Sequence, residues 1–320
     1  MEQDMNRQNL STSNFKENIK FGLKLLLMFG IVLIILFQFI PTYTGSYCAS
    51  LIDKVNRLES IDEAKIVLIG DSNVAYGIDS ELIEQSLHMP VVNMGLHGGL
   101  GNVFHEQMAK LNVHEGDIYV VCHSNYYDSG KIDNNALAWL TIENHPQLWR
   151  ILRPQDIRPL VNDFPIYLKK CIQREWDGIR NQEEGRNEFN EYGDRCDERK
   201  ETQPGVFGED PVYVVPYVGD ETLNRLNELS EYMEKRGATL VIAGFPIADG
   251  ELTAQSPTVQ ELQEALEQRA DFPIISDFED YKFEYKYFYN SALHLTDEGT
   301  KLRTEQLIED LQNYLKEEEN

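Results

Sequence analysis

The sequence predicts an α/β protein built around a parallel sheet with helices on both faces. Short apolar runs rich in Val, Ile and Leu alternate along the chain with longer segments whose apolar residues have helical spacing. A crossover between two parallel strands is usually long enough to hold a helix, and such helices cover the sheet. We therefore predict three layers, with the sheet in the middle.

The predicted elements follow this alternation over residues 61–317. Strands are predicted at residues 66–69, 91–93, 117–122, 239–243 and 273–276, and helices at residues 80–87, 103–111, 221–235, 258–269 and 296–315. Ser80 and Thr296 are suitable N-cap residues, and Gly237 follows the third of these helices, where glycine commonly ends a helix. Five strands separated by helices indicate a single parallel sheet.

An insertion interrupts the alternation between residues 130 and 216. It contains three tryptophans and several helical pieces bounded by proline. A charged stretch at residues 181–201 follows, and its composition predicts a mobile, solvated segment. The insertion is either a surface elaboration or a lid that shapes a substrate site at the carboxyl edge of the sheet.

The N-terminal region contains an apolar segment of membrane-spanning length. Residues 21–40 include one charged residue, Lys24, and a helix of about 20 apolar residues crosses a bilayer. We predict a transmembrane helix there, after a short disordered tail at residues 1–20 and before a partly helical connector at residues 41–60. A cleaved signal peptide is disfavoured, because the segment is long for one and no Ala-x-Ala-like site follows.

Basic residues near this segment predict its orientation. Arg7, Lys16, Lys20 and Lys24 lie on its N-terminal side, and fewer basic residues follow it closely. Since basic flanks are retained in the cytoplasm, we predict a single-pass protein of the cell membrane whose large C-terminal domain lies outside the cytoplasm. A lipoprotein anchor at Cys48 is disfavoured, because this cysteine lies well past the apolar run.

The chain is strongly acidic, with 54 Asp and Glu against 29 Lys and Arg and a formal net charge of −25. Such a charge repels phosphate backbones, so nucleic acid is excluded as a partner. The four cysteines show no Cys-x-x-Cys spacing and the histidines show no ligand spacing, so neither a metal nor another cofactor is predicted. Cys171 and Cys196 could form a disulfide in an oxidising compartment, and the sequence leaves this pairing open.

The turn after the first predicted strand provides a candidate nucleophile, Ser72, in the sequence Gly-Asp-Ser-Asn. A turn between a strand and a helix lies at the carboxyl edge of a parallel sheet, where ligands bind. A serine nucleophile needs a base that takes its proton and donors that stabilise an oxyanion. His294, just before the last helix, is the candidate base, and the glycine-rich turn at residues 95–101 and Asn125 are candidate donors.

Four segments in chain order make the sequence resemble the SGNH (GDSL-type) hydrolases. They are Gly70-Asp71-Ser72, residues 93–98 (Asn-Met-Gly-Leu-His-Gly), His123-Ser124-Asn125 and His294, and the resemblance extends over most of residues 61–315. It implies a flavodoxin-like five-stranded sheet of order 2-1-3-4-5. It also implies an esterase or acyltransferase that acts on small acyl esters, often acetyl groups on carbohydrate. Membrane-anchored members are similar to proteins that esterify or de-esterify cell-surface polysaccharide.

The resemblance also implies roles for individual residues. Ser72 would be the nucleophile and His294 the general base. The backbone N–H groups of Ser72 and Gly98 and the side-chain N–H of Asn125 would form the oxyanion hole.

The chain departs from the family pattern near the base. The family usually has an aspartate three residues before its histidine, where this chain has Ser291, with Asn290 one position further back. Asn290 can orient the imidazole by a hydrogen bond, but it supplies no negative charge to stabilise an imidazolium. A different acid such as Asp277 could take this role, the site could work as a Ser-His dyad, or it could be impaired.

Two further histidines fall within the predicted crevice. His97 lies in the glycine-rich turn, and His123 stands where the family usually has a glycine. We predict that both could contact substrate.

These observations predict a membrane-anchored serine esterase or O-acyltransferase whose partner is an acylated carbohydrate or another small ester. The alternative is a catalytically inactive carbohydrate-binding or assembly module of the same fold, because the family's aspartate is missing. A nucleotide-binding function is disfavoured, because the chain lacks a Gly-x-Gly-x-x-Gly or Gly-Lys-Ser/Thr phosphate loop.

Overall fold

The computed structural model describes residues 2–39, 42–143, 145–177, 185–207, 217–249 and 256–318 of the chain. The main strands are β1 (Ile66–Ile69), β2 (Val91–Asn93), β3 (Ile118–Val121) and β4 (Thr239–Ile242). They form one parallel sheet in the order β2-β1-β3-β4, and the predicted α/β class is confirmed. Two small sheets pair β5 (Ile247–Asp249) with β6 (Lys282–Glu284) and β7 (Phe288–Ser291) with β8 (His294–Leu295).

Helices cover both faces of the main sheet. The α-helices within the described ranges are α1 (Glu2–Phe39), α2 (Leu51–Ser60), α3 (Ser72–Gly77), α4 (Ser80–Leu87), α5 (Asn102–Met108), α6 (Asn135–Ile142), α7 (Pro154–Asp177), α8 (Asp220–Glu234), α9 (Ser256–Glu267) and α10 (Asp297–Glu318). On one face, Val67 and Ile69 share a core with residues of α2, α5 and α8. On the other face, Ile66 and Leu68 share a core with residues of α4 and α10. Alternate residues of β1 are therefore buried on opposite faces, which accounts for its unbroken apolar sequence.

The predicted five-stranded sheet is not confirmed. Residues 273–276, predicted as the fifth strand, contribute only an isolated parallel bridge between Ile242 and Ile274. Pro273 has no backbone N–H to donate to a ladder, and Ser276 donates its hydroxyl proton to the buried carboxylate of Asp310. The regular sheet therefore ends at β4.

The insertion contains α6 and α7 and then returns to the edge of the sheet. The carboxylate of Asp194 is buried and accepts hydrogen bonds from Ser80 N (2.9 Å), Ser80 Oγ (2.6 Å) and Asn93 Nδ2 (2.7 Å). The predicted solvated character of this stretch is therefore wrong at Asp194, because the sheet edge supplies the donors that replace water. Residues 181–184 of the predicted solvated stretch lie outside the described residues.

The N-terminal part of the chain differs from the prediction in two respects. The predicted disordered tail is helical from Glu2, because α1 begins there. The predicted connector is partly helical, as expected, but Leu51 and Val55 of its helix α2 are fully buried in the main core. The folded domain therefore includes much of the predicted connector at residues 41–60.

The apolar part of α1 exposes large side chains on every side of the helix, among them Phe21, Leu23, Leu26, Leu27, Met28, Phe29 and Ile34. In the part of the chain that the structure describes, no helix meets the length and hydropathy needed to cross a membrane. The span predicted at residues 21–40 ends at a residue outside the described ranges.

All four cysteines are free thiols. Cys171 is buried in α7, whereas Cys196 is exposed and its Sγ lies 3.2 Å from the backbone oxygen of Glu188. The disulfide that the sequence left open between Cys171 and Cys196 is therefore not formed.

Candidate active site

Ser72 and His294 meet at the carboxyl edge of the main sheet. Ser72 is the first residue of α3, which follows β1, and His294 is the first residue of β8. The Oγ of Ser72 lies 2.8 Å from Nε2 of His294, although 222 positions separate the two residues in the chain. The structure therefore brings the predicted nucleophile and the predicted base within hydrogen-bonding distance.

Buried polar groups fix the turn that carries Ser72. Asp71 is the N-cap of α3, and its carboxylate accepts from the N–H of Asn73 at 2.7 Å and from Oγ of Ser124 at 2.6 Å. Arg303 of α10 is completely buried and donates to the backbone oxygen of Asn73 at 2.7 Å and to its Oδ1 at 2.9 Å. These bonds hold the first turn of α3, so the position of Ser72 depends on a residue of the last helix.

The second ring nitrogen of His294 has a neutral partner. Its Nδ1 lies 2.6 Å from Oδ1 of Asn290, at the end of β7. Because an amide oxygen can only accept, Nδ1 carries the ring proton and Nε2 turns its lone pair to the hydroxyl of Ser72. The alternative acid, Asp277, instead accepts from the N–H of Glu279 at 2.9 Å. Asn290 therefore occupies the orienting position that the sequence assigned to it.

Tyr76 forms one wall around the base. Its ring is stacked on the imidazole of His294, with centroids 4.0 Å apart and planes 7° apart. Tyr76 lies one helical turn after Ser72 in α3. The same short helix therefore carries Ser72 and the ring against which His294 packs.

Burial lowers the pKa of His294 to about 4. The carboxylate of Asp71 raises this pKa, whereas the positive charges of Arg199 and Arg195 lower it. The imidazole is therefore neutral over the physiological pH range, which is the state that can accept a proton. Asp71 is the carboxylate that favours the protonated form of this imidazole.

Two of the three predicted oxyanion donors lie around a cavity of about 360 Å³ that Asp71 also lines. Gly98 and Asn125 both line this cavity. The backbone oxygen of Asn125 accepts from Nδ2 of Asn102 at 2.9 Å, which fixes the loop after β3 while the Asn125 side chain remains exposed. The structure thus brings Gly98 and Asn125 together next to the residue that precedes Ser72.

The two additional histidines have different environments. His97 is exposed, its Nδ1 accepts from the N–H of Gly99 at 2.9 Å, and it lines a second cavity of about 630 Å³ together with Tyr76. His123 is completely buried, and its Nε2 lies 3.5 Å from the carboxylate of Glu106. The predicted substrate contact of His123 is therefore wrong, because its side chain lies in the protein core.

Sequence reasoning missed three residues near the base. Tyr76 could have been found, because a residue four positions after Ser72 lies on the same side of a helix. The sequence predicted no helix between the first strand and Ser80, however, whereas the structure has a separate short helix there, α3. Arg195 and Arg199 lie in the insertion, and no local pattern relates them to the base.

Within the described ranges, no cluster of three or more residues is suited to hold a metal ion. The chain matches no family model, no curated protein and no solved structure. The geometry of the site is therefore the basis for assigning a function.

Proposed function

We propose that the protein is a serine esterase or O-acyltransferase of the SGNH type. The observation that carries this proposal is the 2.8 Å contact between Ser72 Oγ and His294 Nε2, with Asn290 Oδ1 2.6 Å from the other ring nitrogen. A hydroxyl, a neutral imidazole and an acceptor that orients the imidazole are the groups that nucleophilic acyl transfer requires. The four motif segments that resemble SGNH hydrolases support the same class of enzyme.

In the proposed reaction, Ser72 Oγ attacks the carbonyl carbon of an acyl ester while its proton passes to Nε2 of His294. The N–H groups of Ser72, Gly98 and Asn125 stabilise the oxyanion. The bond from the carbonyl carbon to the alcohol oxygen then breaks, and His294 returns its proton to the leaving alcohol. Water or the hydroxyl of an acceptor attacks the acyl-serine by the reverse steps, so one centre serves hydrolysis and transfer.

The release of 4-nitrophenol from 4-nitrophenyl acetate by the full chain in detergent tests this proposal. We expect Ser72→Ala to lower the rate by about 10³-fold or more, because the acyl acceptor is removed. Ser129→Ala is the matched control, since Ser129 is exposed and forms no part of the site. Equal rates for the wild type and Ser72→Ala would remove the proposal.

A second candidate is a catalytically inactive module of the same fold that binds carbohydrate or supports assembly. The amide of Asn290 favours it, because this side chain occupies a position next to the base where a carboxylate is expected. This candidate predicts no labelling of Ser72 by a fluorophosphonate together with measurable binding of an acetylated glycan. Rapid labelling of Ser72 excludes it.

Membrane attachment through residues 21–40 belongs to the proposed function. The exposure of apolar side chains on every side of α1 supports it, since a helix that is apolar all round is stable when lipid or protein covers it. The catalytic domain would then lie outside the cytoplasm, where acylated cell-surface carbohydrate is accessible. Retention of the full chain in membranes after an alkaline wash, and its release when residues 1–40 are deleted, test this assignment.

A further inference from the structure

The cavity of about 630 Å³ next to the base is built by residues from separate parts of the chain. Tyr47 comes from the segment before α2, Lys170 and Arg174 come from α7, and Arg195 comes from the returning part of the insertion. Tyr76 and His97 complete the wall on the side of the catalytic centre. The cavity therefore exists only where the insertion closes against the sheet domain.

The charge of this cavity is opposite to that of the whole chain. Lys170, Arg174 and Arg195 line it, and among the residues that the structure describes Glu188 is the single lining carboxylate. The chain as a whole carries a formal net charge of −25. A concave site of one charge sign raises the local concentration of ligands of the other sign, so this cavity favours anions.

The cations of the cavity differ in how they are held. Arg195 forms ion pairs with Glu188 and with Asp197, and these fix its guanidinium 4.9 Å from the ring centre of Tyr76. Lys170 forms no ion pair with any residue in the described ranges, and it lies one helical turn before Arg174. Lys170 and Arg174 therefore present two neighbouring cationic groups on one face of α7.

A buried arginine over the ring of Tyr76 gives independent support, although it does not itself line the cavity. Arg199 is 4% exposed, and no described residue accepts a hydrogen bond from its Nε or Nη1. Its Nε lies 3.6 Å from the carboxylate of Asp297, beyond hydrogen-bonding distance, and its guanidinium lies 5.5 Å from the ring centre of Tyr76. Buried N–H groups of a cation are normally satisfied, so these donors indicate a place for an anionic oxygen.

Aromatic rings connect the cavity with the base. The rings of Tyr47 and Tyr76 are nearly parallel, at 14°, with centroids 6.5 Å apart. Tyr76 in turn stacks on His294 at 4.0 Å. Aromatic walls with a few placed polar groups are typical of binding sites for small organic ligands. A ligand that packs on Tyr76 is therefore one ring away from the imidazole.

We infer that this cavity binds a saccharide that carries an anionic group, either a carboxylate or a phosphate, and presents its acyl ester or its acceptor hydroxyl to Ser72. Lys170 and Arg174 contact the anionic group, Arg199 donates to it or to a neighbouring oxygen, and Tyr76 contacts the sugar ring. The reactive part of this inference rests on the proposed esterase or acyltransferase function, whereas the binding part does not.

Binding is measured by titration calorimetry with full-length Ser72→Ala in detergent, so that no turnover occurs. The probes are methyl glucuronide, glucose 6-phosphate and methyl glucoside, which supply a carboxylate, a phosphate and no charge. We expect at least one anionic probe to bind about 10-fold or more tightly than the neutral probe, with an advantage that decreases as salt is added. The tighter of the two anionic probes identifies which group the site takes.

Substitutions on α7 locate the binding site. We expect Lys170→Ala/Arg174→Ala, in the Ser72→Ala background, to remove the preference for the anionic probe. Lys169→Ala is the matched control, because Lys169 is exposed on the same helix and does not line the cavity; it should keep the preference. Equal binding of all three probes, or a preference that survives the double substitution in a folded variant, would overturn the inference.

Activity measurements on the wild type, with 4-nitrophenyl acetate and with acetylated forms of the three sugar probes, separate this inference from the proposed function. An anion preference without any release of 4-nitrophenol by the wild type supports the binding site and removes the esterase. The second outcome combines two results. Release of 4-nitrophenol depends on Ser72, but kcat/KM is no higher for acetylated methyl glucuronide or acetylated glucose 6-phosphate than for acetylated methyl glucoside. This outcome keeps the esterase and overturns the proposal of an anionic substrate.

Discussion

Asn290 and His294 lie four positions apart at the β7–β8 turn, and the amide oxygen of Asn290 is 2.6 Å from Nδ1 of the imidazole. The hydrogen bond selects the tautomer in which Nε2 accepts the proton of Ser72. It provides orientation without charge, because the amide is neutral. The carboxylate that raises the pKa of His294 is that of Asp71.

Replacing Asn290 by aspartate is expected to increase activity. A carboxylate beside Nδ1 keeps the orienting hydrogen bond and stabilises the imidazolium, so kcat/KM for 4-nitrophenyl acetate should rise on the order of 10-fold. Asn290→Ala is the matched variant that loses orientation and charge together, and its rate should decrease. A rate for Asn290→Asp no higher than that of Asn290→Ala would contradict the role of this residue.

The pH dependence of activity should show a base with an unusually low pKa. The free imidazole has a pKa of 6.5, and burial lowers the pKa of His294 to about 4. Because the neutral form is active, kcat/KM should be constant through pH 6 and fall only as the pH decreases through about 4. The profile is measured by release of 4-nitrophenol from buffered samples that are quenched at one common pH.

Removing the charge of Arg199 should shift this pH profile in a known direction. Its positive charge lowers the pKa of His294, so Arg199→Gln should move the acid limb of kcat/KM to higher pH. Lys301→Gln is a suitable control, because Lys301 is exposed on α10 and should leave the acid limb in place. An acid limb near pH 6.5 in the wild type would show that burial does not control this imidazole.

Arg303→Met should destabilise the fold. The substitution leaves the backbone oxygen and the Oδ1 of Asn73 without their donor, and buried acceptors without partners cost about 1–3 kcal/mol each. We expect the free energy of unfolding in urea to decrease by about 2–4 kcal/mol. Lys301→Met on the same helix should change it by no more than about 0.5 kcal/mol. Similar values for the two variants would show that Arg303 does not hold α3.

Gly95→Ala should displace the glycine-rich turn from α3. A Cβ at Gly95 would lie 2.7 Å from the backbone nitrogen of Ala75, whereas a Cβ at Gly45 meets no atom closer than 3.8 Å. Forced packing of this kind costs about 1–3 kcal/mol and should lower kcat as well as stability. Gly45→Ala is the control, and urea unfolding together with the esterase assay distinguishes the two positions. Equal behaviour of the variants would refute the close packing at Gly95.

The main strands could be predicted because each is a short apolar run that helices cover on both faces. The contact between Ser72 and His294 could be predicted because each residue follows a strand or precedes a helix at the carboxyl edge of the sheet. The prediction of a fifth strand at residues 273–276 gave too little weight to Pro273, which has no backbone N–H, and the sequence does not reveal that Ser276 donates to Asp310. The burial of His123 could not be predicted, because its position in a motif does not state which way the side chain turns.

The positions of Arg195 and Arg199 could not be predicted by any local pattern. Their approach to Tyr76 depends on the fold of the whole insertion, and their charges in the sequence resemble those of a solvated loop. The charged stretch was therefore assigned to the surface, although it supplies cations to the interior of the site.

Asp194 sets a limit on how this protein can be redesigned. Its carboxylate belongs to the insertion, yet it accepts from Ser80 and Asn93 at the edge of the sheet. A chimera with a foreign loop in place of residues 185–199 would lose the cations Arg195 and Arg199. It would also leave three donors, two on Ser80 and one on Asn93, without their acceptor. Ligand preference can therefore be altered by point substitutions on α7 more readily than by loop exchange, unless the graft carries an equivalent acid at this position.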